Sequence, residues 1–130
     1  LVLWRGRLVV RQYIKGKRHK FGIKIYSLNE PEGLMLRFHV YTGKNDSCSG
    51  KGHTMKVVLR LITDFLGKGH SLFMDNFYNS FLLSSKLLSL STYTTGTLRK
   101  DRKHTPDEVK AAPLTKGRTV ANYAQGVMVG

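Results

Sequence analysis

Acidic residues and cysteines are scarce in this chain, and each shortage narrows what it can do. Only 8 Asp and Glu stand against 22 Lys and Arg in 130 residues. A phosphoryl-transfer centre of the two-metal kind brackets its ions, ~4 Å apart, with several carboxylates, so candidates for such a centre are few. The single cysteine, Cys48, excludes an internal disulfide and suits a reducing compartment. The five histidines lack the HxxxH or HxH spacing of metal ligands, and one cysteine cannot complete a zinc set. No apolar run approaches the roughly 20 residues that span a bilayer. Leu1–Trp4 is too short for the apolar region of a signal peptide, and a first residue other than Met suggests a start further upstream. A G-x-S-x-G elbow and a Gly-x-x-x-x-Gly-Lys-Ser/Thr loop are both missing, which removes the sequence basis for those hydrolase and nucleotide-binding readings. There is no internal repeat or low-complexity tract.

What is present is a globular composition with a strong positive bias. Hydrophobic residues make up 41% and charged residues 23%, unlike a disordered tail. The length suits one domain that buries roughly two-thirds of its unfolded surface. The net charge of +14 favours polyanionic partners such as nucleic acid or an anionic membrane, the competing reading being a cationic surface kept for solubility. That charge is unevenly spread. Leu1 to Asn29 holds eight Lys or Arg and no acid, and Arg99 to His104 forms a second basic cluster.

Three strand-like runs open the chain. They are the β-branched stretch Leu8–Gln12, then Phe21–Ile25 with Phe21, Ile23 and Ile25 on one face, then Leu34–Val40. In the last, Leu34, Leu36, Phe38 and Val40 alternate with Met35, Arg37, His39 and Tyr41. Period two is the mark of half-buried antiparallel strands. Pro31–Gly33 supplies a turn before the third run. After a polar loop, Met55, Val58, Leu59, Ile62 and Phe65 recur at helical spacing, with Thr54 as N-cap and Gly67 as the stop. Ser71–Asp75 reads as a strand buried on both faces. Ser80–Leu90 reads as a second helix capped by Asn79 or Ser80, Thr92–Thr97 as a strand, and Pro106–Ala112 as a short helix. Thr119–Val129 reads as two further short strands. This order predicts an α/β fold with a mixed sheet, β-β-β-α-β-α-β.

Asp75 is the best-placed acid. It ends an apolar strand at the mouth of a helix, where α/β sheets bind ligands, and a carboxylate there suits Mg²⁺. The alternative is an Asp that caps the helix or holds nearby backbone N–H groups. No other acid is an obvious second ligand. Asp64 falls within the helical pattern, Glu30 and Glu32 in a turn, Asp46 in the polar loop, and Asp101, Asp107 and Glu108 near the second basic cluster. The opening segment interleaves cations with Trp4, Tyr13 and Phe21, a combination that neutralises phosphates and stacks on bases. A solvated strand face with Trp4 in the core is the competing reading.

These residues resemble a known family. Trp4-Arg5-Gly6-Arg7-Leu8, Arg11-Gln12-Tyr13-Ile14 and Lys17-Arg18-His19-Lys20-Phe21-Gly22-Ile23-Lys24 are similar to the opening of the piggyBac transposase catalytic core. So are Val40-Tyr41-Thr42-Gly43, Leu66-Gly67-Lys68-Gly69-His70, Phe73-Met74-Asp75-Asn76-Phe77-Tyr78-Asn79-Ser80 and Thr95-Gly96-Thr97-Leu98-Arg99-Lys100. The resemblance spans nearly the whole chain. It implies a partial ribonuclease H-like fold, incomplete at both ends, with residues 1–118 in the catalytic core and 119–130 opening the family's insertion region. It implies a nuclear enzyme that cuts and rejoins DNA with three aspartates and two Mg²⁺ ions. Asp75 then corresponds to the second catalytic aspartate and metal ligand. The basic residues Arg5, Arg7, Arg11, Lys17, Arg18, Lys20, Arg99 and Lys100 would face DNA. The family's first and third catalytic aspartates have no counterpart here, nor does its cysteine-rich zinc module. The expectation is a fragment without cleavage activity or tight Mg²⁺ binding of its own, with one apolar sheet face uncovered. The complete protein would work on DNA as a homodimer, with no membrane or small-molecule partner. A domesticated, non-enzymatic DNA-binding protein is the alternative.

Overall fold

The structure, a computed structural model describing residues 1–130, divides after Asp64 into units Leu1–Asp64 and Phe65–Gly130.

In the first unit, β1 (Val2–Leu3), β2 (Arg11–Tyr13) and β3 (Phe21–Ile23) form an antiparallel sheet in the order β1-β3-β2. Gly22 lies opposite Leu3, where a Cβ would collide with the Val2 carbonyl, so glycine is what lets β1 close against β3. β4 (Ile25–Asn29) and β5 (Met35–Val40) form a hairpin. Its turn is the one expected at Pro31–Gly33, with Gly33 at φ +96° and its N–H bonded to the Glu30 carbonyl. Helix α1 (His53–Ile62) packs on this hairpin through Val57, Val58, Leu61 and Ile62, all buried. Tyr26 is 2% exposed, and its hydroxyl lies 2.6 Å from His53 Nε2. His53 Nδ1 lies 2.8 Å from the Cys48 carbonyl, which can only accept, so Nδ1 carries the proton and Nε2 accepts from Tyr26.

In the second unit, β6 (Ser71–Met74) runs parallel to β7 (Tyr93–Gly96), and α2 (Phe81–Ser89) makes the crossover between them. Leu83 and Leu87 on α2 are fully buried. Ser80 is the N-cap, its hydroxyl accepting the Leu83 N–H at 3.3 Å. Ser80→Ala is expected to lower stability by about 1 kcal/mol, read from urea unfolding; an unchanged midpoint would refute the cap. Helix α3 (Asp107–Ala111) is followed by a hairpin of β8 (Asn122–Ala124) and β9 (Val127–Val129), and β9 packs against α2. Gln125 and Gly126 both have positive φ, as a tight hairpin turn requires.

From β4 to β7 the element order is the expected β-β-α-β-α-β. The strands do not join into one mixed sheet, however. They form one three-stranded and three two-stranded sheets, because most pair with a partner one short turn away. Leu8–Val10 is not a strand. Val9 and Val10 sit in a turn closed by the Arg11 N–H on the Leu8 carbonyl, while the Arg11 guanidinium holds the Arg5 and Gly6 carbonyls. The run Phe21–Ile25 is broken at Lys24 into β3 and β4. Helix α1 is capped by Gly52 at φ +76° rather than by Thr54. The buried stripe of α1 is Val57, Val58, Leu61 and Ile62 rather than Met55, Val58, Leu59 and Ile62. Leu34 and Phe38, expected on a half-buried face, are 62% and 63% exposed, so that face is uncovered. β6 is not buried on both sides either, since Met74 is buried while Phe73 is 72% exposed. No helix is long and apolar enough to cross a membrane.

Candidate functional site

Asp75 directly follows β6 and is exposed. Its Oδ1 accepts the Phe77 N–H at 2.9 Å and the Tyr78 N–H at 3.3 Å. Its own carbonyl accepts the Tyr78 and Asn79 N–H groups. The helix cap is Ser80, so the capping alternative for Asp75 falls away, while its side chain does hold two backbone N–H groups of its loop. Burial, and then the Asp75 charge, push the Tyr78 hydroxyl up to about 12, so it stays protonated at neutral pH. Asp75 belongs to no group of three metal-ligating side chains. It fits Mg²⁺ as a single carboxylate ligand, the kind of ion that relies on one or two carboxylates together with substrate phosphates.

The turn after β7 brings Arg102 to this loop. Arg102 Nη2 donates to the Phe77 carbonyl at 2.5 Å and to the Asn76 carbonyl at 3.3 Å. Arg99 and Lys100 are exposed at the start of the same turn, which closes with the Arg102 N–H on the Arg99 carbonyl. Arg102 stood out in the sequence only as one member of a basic cluster. No periodicity marks a side chain that reaches back 25 residues.

In the first unit, Arg5, Arg7, Arg11, Lys17, Arg18 and Lys20 are all exposed. Tyr13 and Phe21 pair across β2 and β3 with ring centroids 5.1 Å apart, and the Arg11 guanidinium lies 4.9 Å from the Phe21 ring centroid. Trp4 is 44% exposed, so it is not a core residue. Cations and aromatic faces therefore share an accessible surface.

The end of β5 and the loop that follows it hold a cluster that the spacing of the histidines did not reveal. His39, Asp46 and Cys48 bring their ligand atoms within 4.8 Å of one another. The Asp46 carboxylate already accepts the Thr42 and Cys48 N–H groups, the Thr42 hydroxyl and His39 Nε2. Its acceptor capacity is filled by the protein itself, so the cluster clasps the loop. Asp64, near the end of the same unit, pairs with Arg37. Both partners are substantially exposed, and such a pair adds little stability.

Comparison with known proteins places this architecture. Human piggyBac transposable element-derived protein 3 is 32% identical over 130 residues, covering 95% of this chain and 22% of the relative. The cryo-EM structure of a piggyBac transposase synaptic complex with hairpin DNA superposes with a TM-score of 0.81 at 23% identity, over 96% of this chain and 27% of that one. This chain thus spans about a fifth to a quarter of their length. The family described as Transposase IS4 matches residues 1–130, and the chain belongs to that family, in its piggyBac type.

Proposed function

We propose that this chain is part of the ribonuclease H-like catalytic core of a cut-and-paste DNA transposase of the nucleus, and that it contributes a DNA-facing surface and one metal ligand, Asp75. The observation that carries this reading is the position of Asp75. It is an exposed carboxylate at the carboxyl end of a parallel strand, oriented by two backbone N–H groups. Bound Mg²⁺ would supply an activated water and a stabilised leaving oxygen at a phosphodiester. The residues of this chain do the rest of what falls to it. Asp75 offers one carboxylate, and the Phe77 and Tyr78 N–H groups fix its angle. Arg99 and Lys100 neutralise phosphates beside it, and Arg5, Arg7, Arg11, Lys17, Arg18 and Lys20 form a further basic surface with Tyr13 and Phe21. One carboxylate does not bracket two ions, so the chain alone is not expected to cut DNA.

Two measurements test this. Log affinity for duplex DNA plotted against log salt is expected to fall with a slope steeper than about −3, since each phosphate neutralised contributes about −0.9. A flat plot would exclude the DNA-facing role. Strand cleavage of transposon-end DNA in Mg²⁺ is expected to be absent, and Asp75-dependent cutting by the chain alone would overturn the single-ligand assignment.

A further inference from the structure

Arg102 is the one basic side chain whose guanidinium is turned onto the backbone that carries Asp75. Its Nη2 donates to two successive carbonyls, Asn76 and Phe77, and its Nε is buried without a partner. Leaving a buried charged-group donor unpaired is costly, and such a group persists where the rest of the side chain is held in place. The peptide units it grips lie next to the N–H groups that orient Asp75. The Asn76 carbonyl shares a peptide plane with the Phe77 N–H, and the Phe77 carbonyl shares one with the Tyr78 N–H. A peptide group is planar, so fixing the carbonyl end fixes the N–H end. Both donors to the Asp75 carboxylate are therefore aimed by one guanidinium. Arg102 also closes the turn that begins at Arg99, through its own N–H.

We propose that Arg102 is a positioning residue. It sets the angle of the Asp75 carboxylate and ties it mechanically to the turn that presents Arg99 and Lys100. DNA held by that turn then stiffens the Asp75 loop. The coupling to DNA rests on the proposed function, whereas the grip on the loop does not.

Amide hydrogen exchange on the whole 130-residue chain separates the two. In Arg102→Ala, exchange at Phe77 and Tyr78 is expected to rise at least about tenfold, with the α2 amides of Leu87 and Leu88 unchanged. Arg102→Lys keeps the charge and the aliphatic stem but lacks the planar fork, and is expected to restore only part of the protection. Duplex DNA is expected to slow exchange at Phe77 and Tyr78 in the native chain. In Arg102→Ala the DNA should bind with an unchanged salt slope and no longer slow them. A phosphate-contacting Arg102 would instead reduce the slope by about one unit and leave the loop amides alone, which would overturn the proposal. Uniform loss of protection across α2 in both variants would also overturn it, because Arg102 would then be supporting the unit as a whole. If the native chain shows no salt-dependent DNA binding, the proposed function and the coupling fall, and the exchange at Phe77 and Tyr78 without DNA still decides the grip.

Discussion

Gly96→Ala is expected to destabilise the second unit by about 3 kcal/mol and to displace Asp75, although Gly96 is neither buried nor at a positive φ. In the β6–β7 register Gly96 lies beside Met74, the residue before Asp75. A Cβ at position 96 would run into the Met74 carbonyl oxygen and come within 3.3 Å of the buried Asn79 side-chain amide. Neither neighbour can yield cheaply. The Met74 carbonyl is strand backbone, and Asn79 is fixed by the Ser84 hydroxyl that donates to it. Relief must come from separating two parallel strands at the end where Asp75 emerges. Forced overpacking of this kind costs roughly 1–3 kcal/mol and at times more, and for a unit of this size 1 kcal/mol moves the melting temperature by about 4–8 °C. Gly16→Ala is the control, since an added Cβ there meets nothing within 4 Å. Equal melting temperatures for the two variants would show that β7 can shift away at no cost.

The same pair of strands shows why part of this molecule is legible in its sequence. Ser71–Asp75, the Ser80 cap, α2 and β7 are each specified by local signals that agree: an apolar run, a hydroxyl before a helical pattern, a β-branched run. Their burial is another matter. Alternation says that a strand has two unlike faces, but says nothing about what covers them, so Leu34, Phe38 and Phe73 read as buried and are exposed. Leu8–Val10 had the composition of a strand and became a turn because Arg11 draws the preceding carbonyls toward itself. Thr54 had the chemistry of an N-cap, but Gly52 takes the left-handed conformation and starts α1 earlier. The site divides in the same way. The position of Asp75, directly after β6 in a loop before a helix, is set by its neighbours in sequence and was legible from them. Arg102 acts on carbonyls 25 and 26 residues away, and carbonyls carry no sequence signal.

The loop clasp at Asp46 gives the second large effect, and its pH dependence identifies the cause. Burial by itself would raise the Asp46 pKa. The Thr42 and Cys48 N–H groups, and after them the hydrogen bond and charge of His39, outweigh burial and hold it at about 2, below its ordinary 3.8. A carboxyl whose pKa is lower folded than unfolded stabilises the fold above its unfolded pKa. That stabilisation is lost as pH falls from about 4 toward 2. The difference corresponds to roughly 2 kcal/mol at neutral pH. Asp46→Asn removes the charge and turns one acceptor into a donor facing backbone N–H groups, so the expected loss is about 2–3 kcal/mol at pH 7. The gap between native and variant should narrow steadily below pH 4 and nearly close at pH 2, where the native carboxyl is itself half protonated. His39→Gln should cost less, because both backbone donors remain in place when the imidazole is gone. Urea midpoints of the three chains at pH 7, 4 and 2 decide the matter. A constant gap between native and Asp46→Asn across that range would mean the loop is held by shape alone and that the charge of Asp46 contributes nothing.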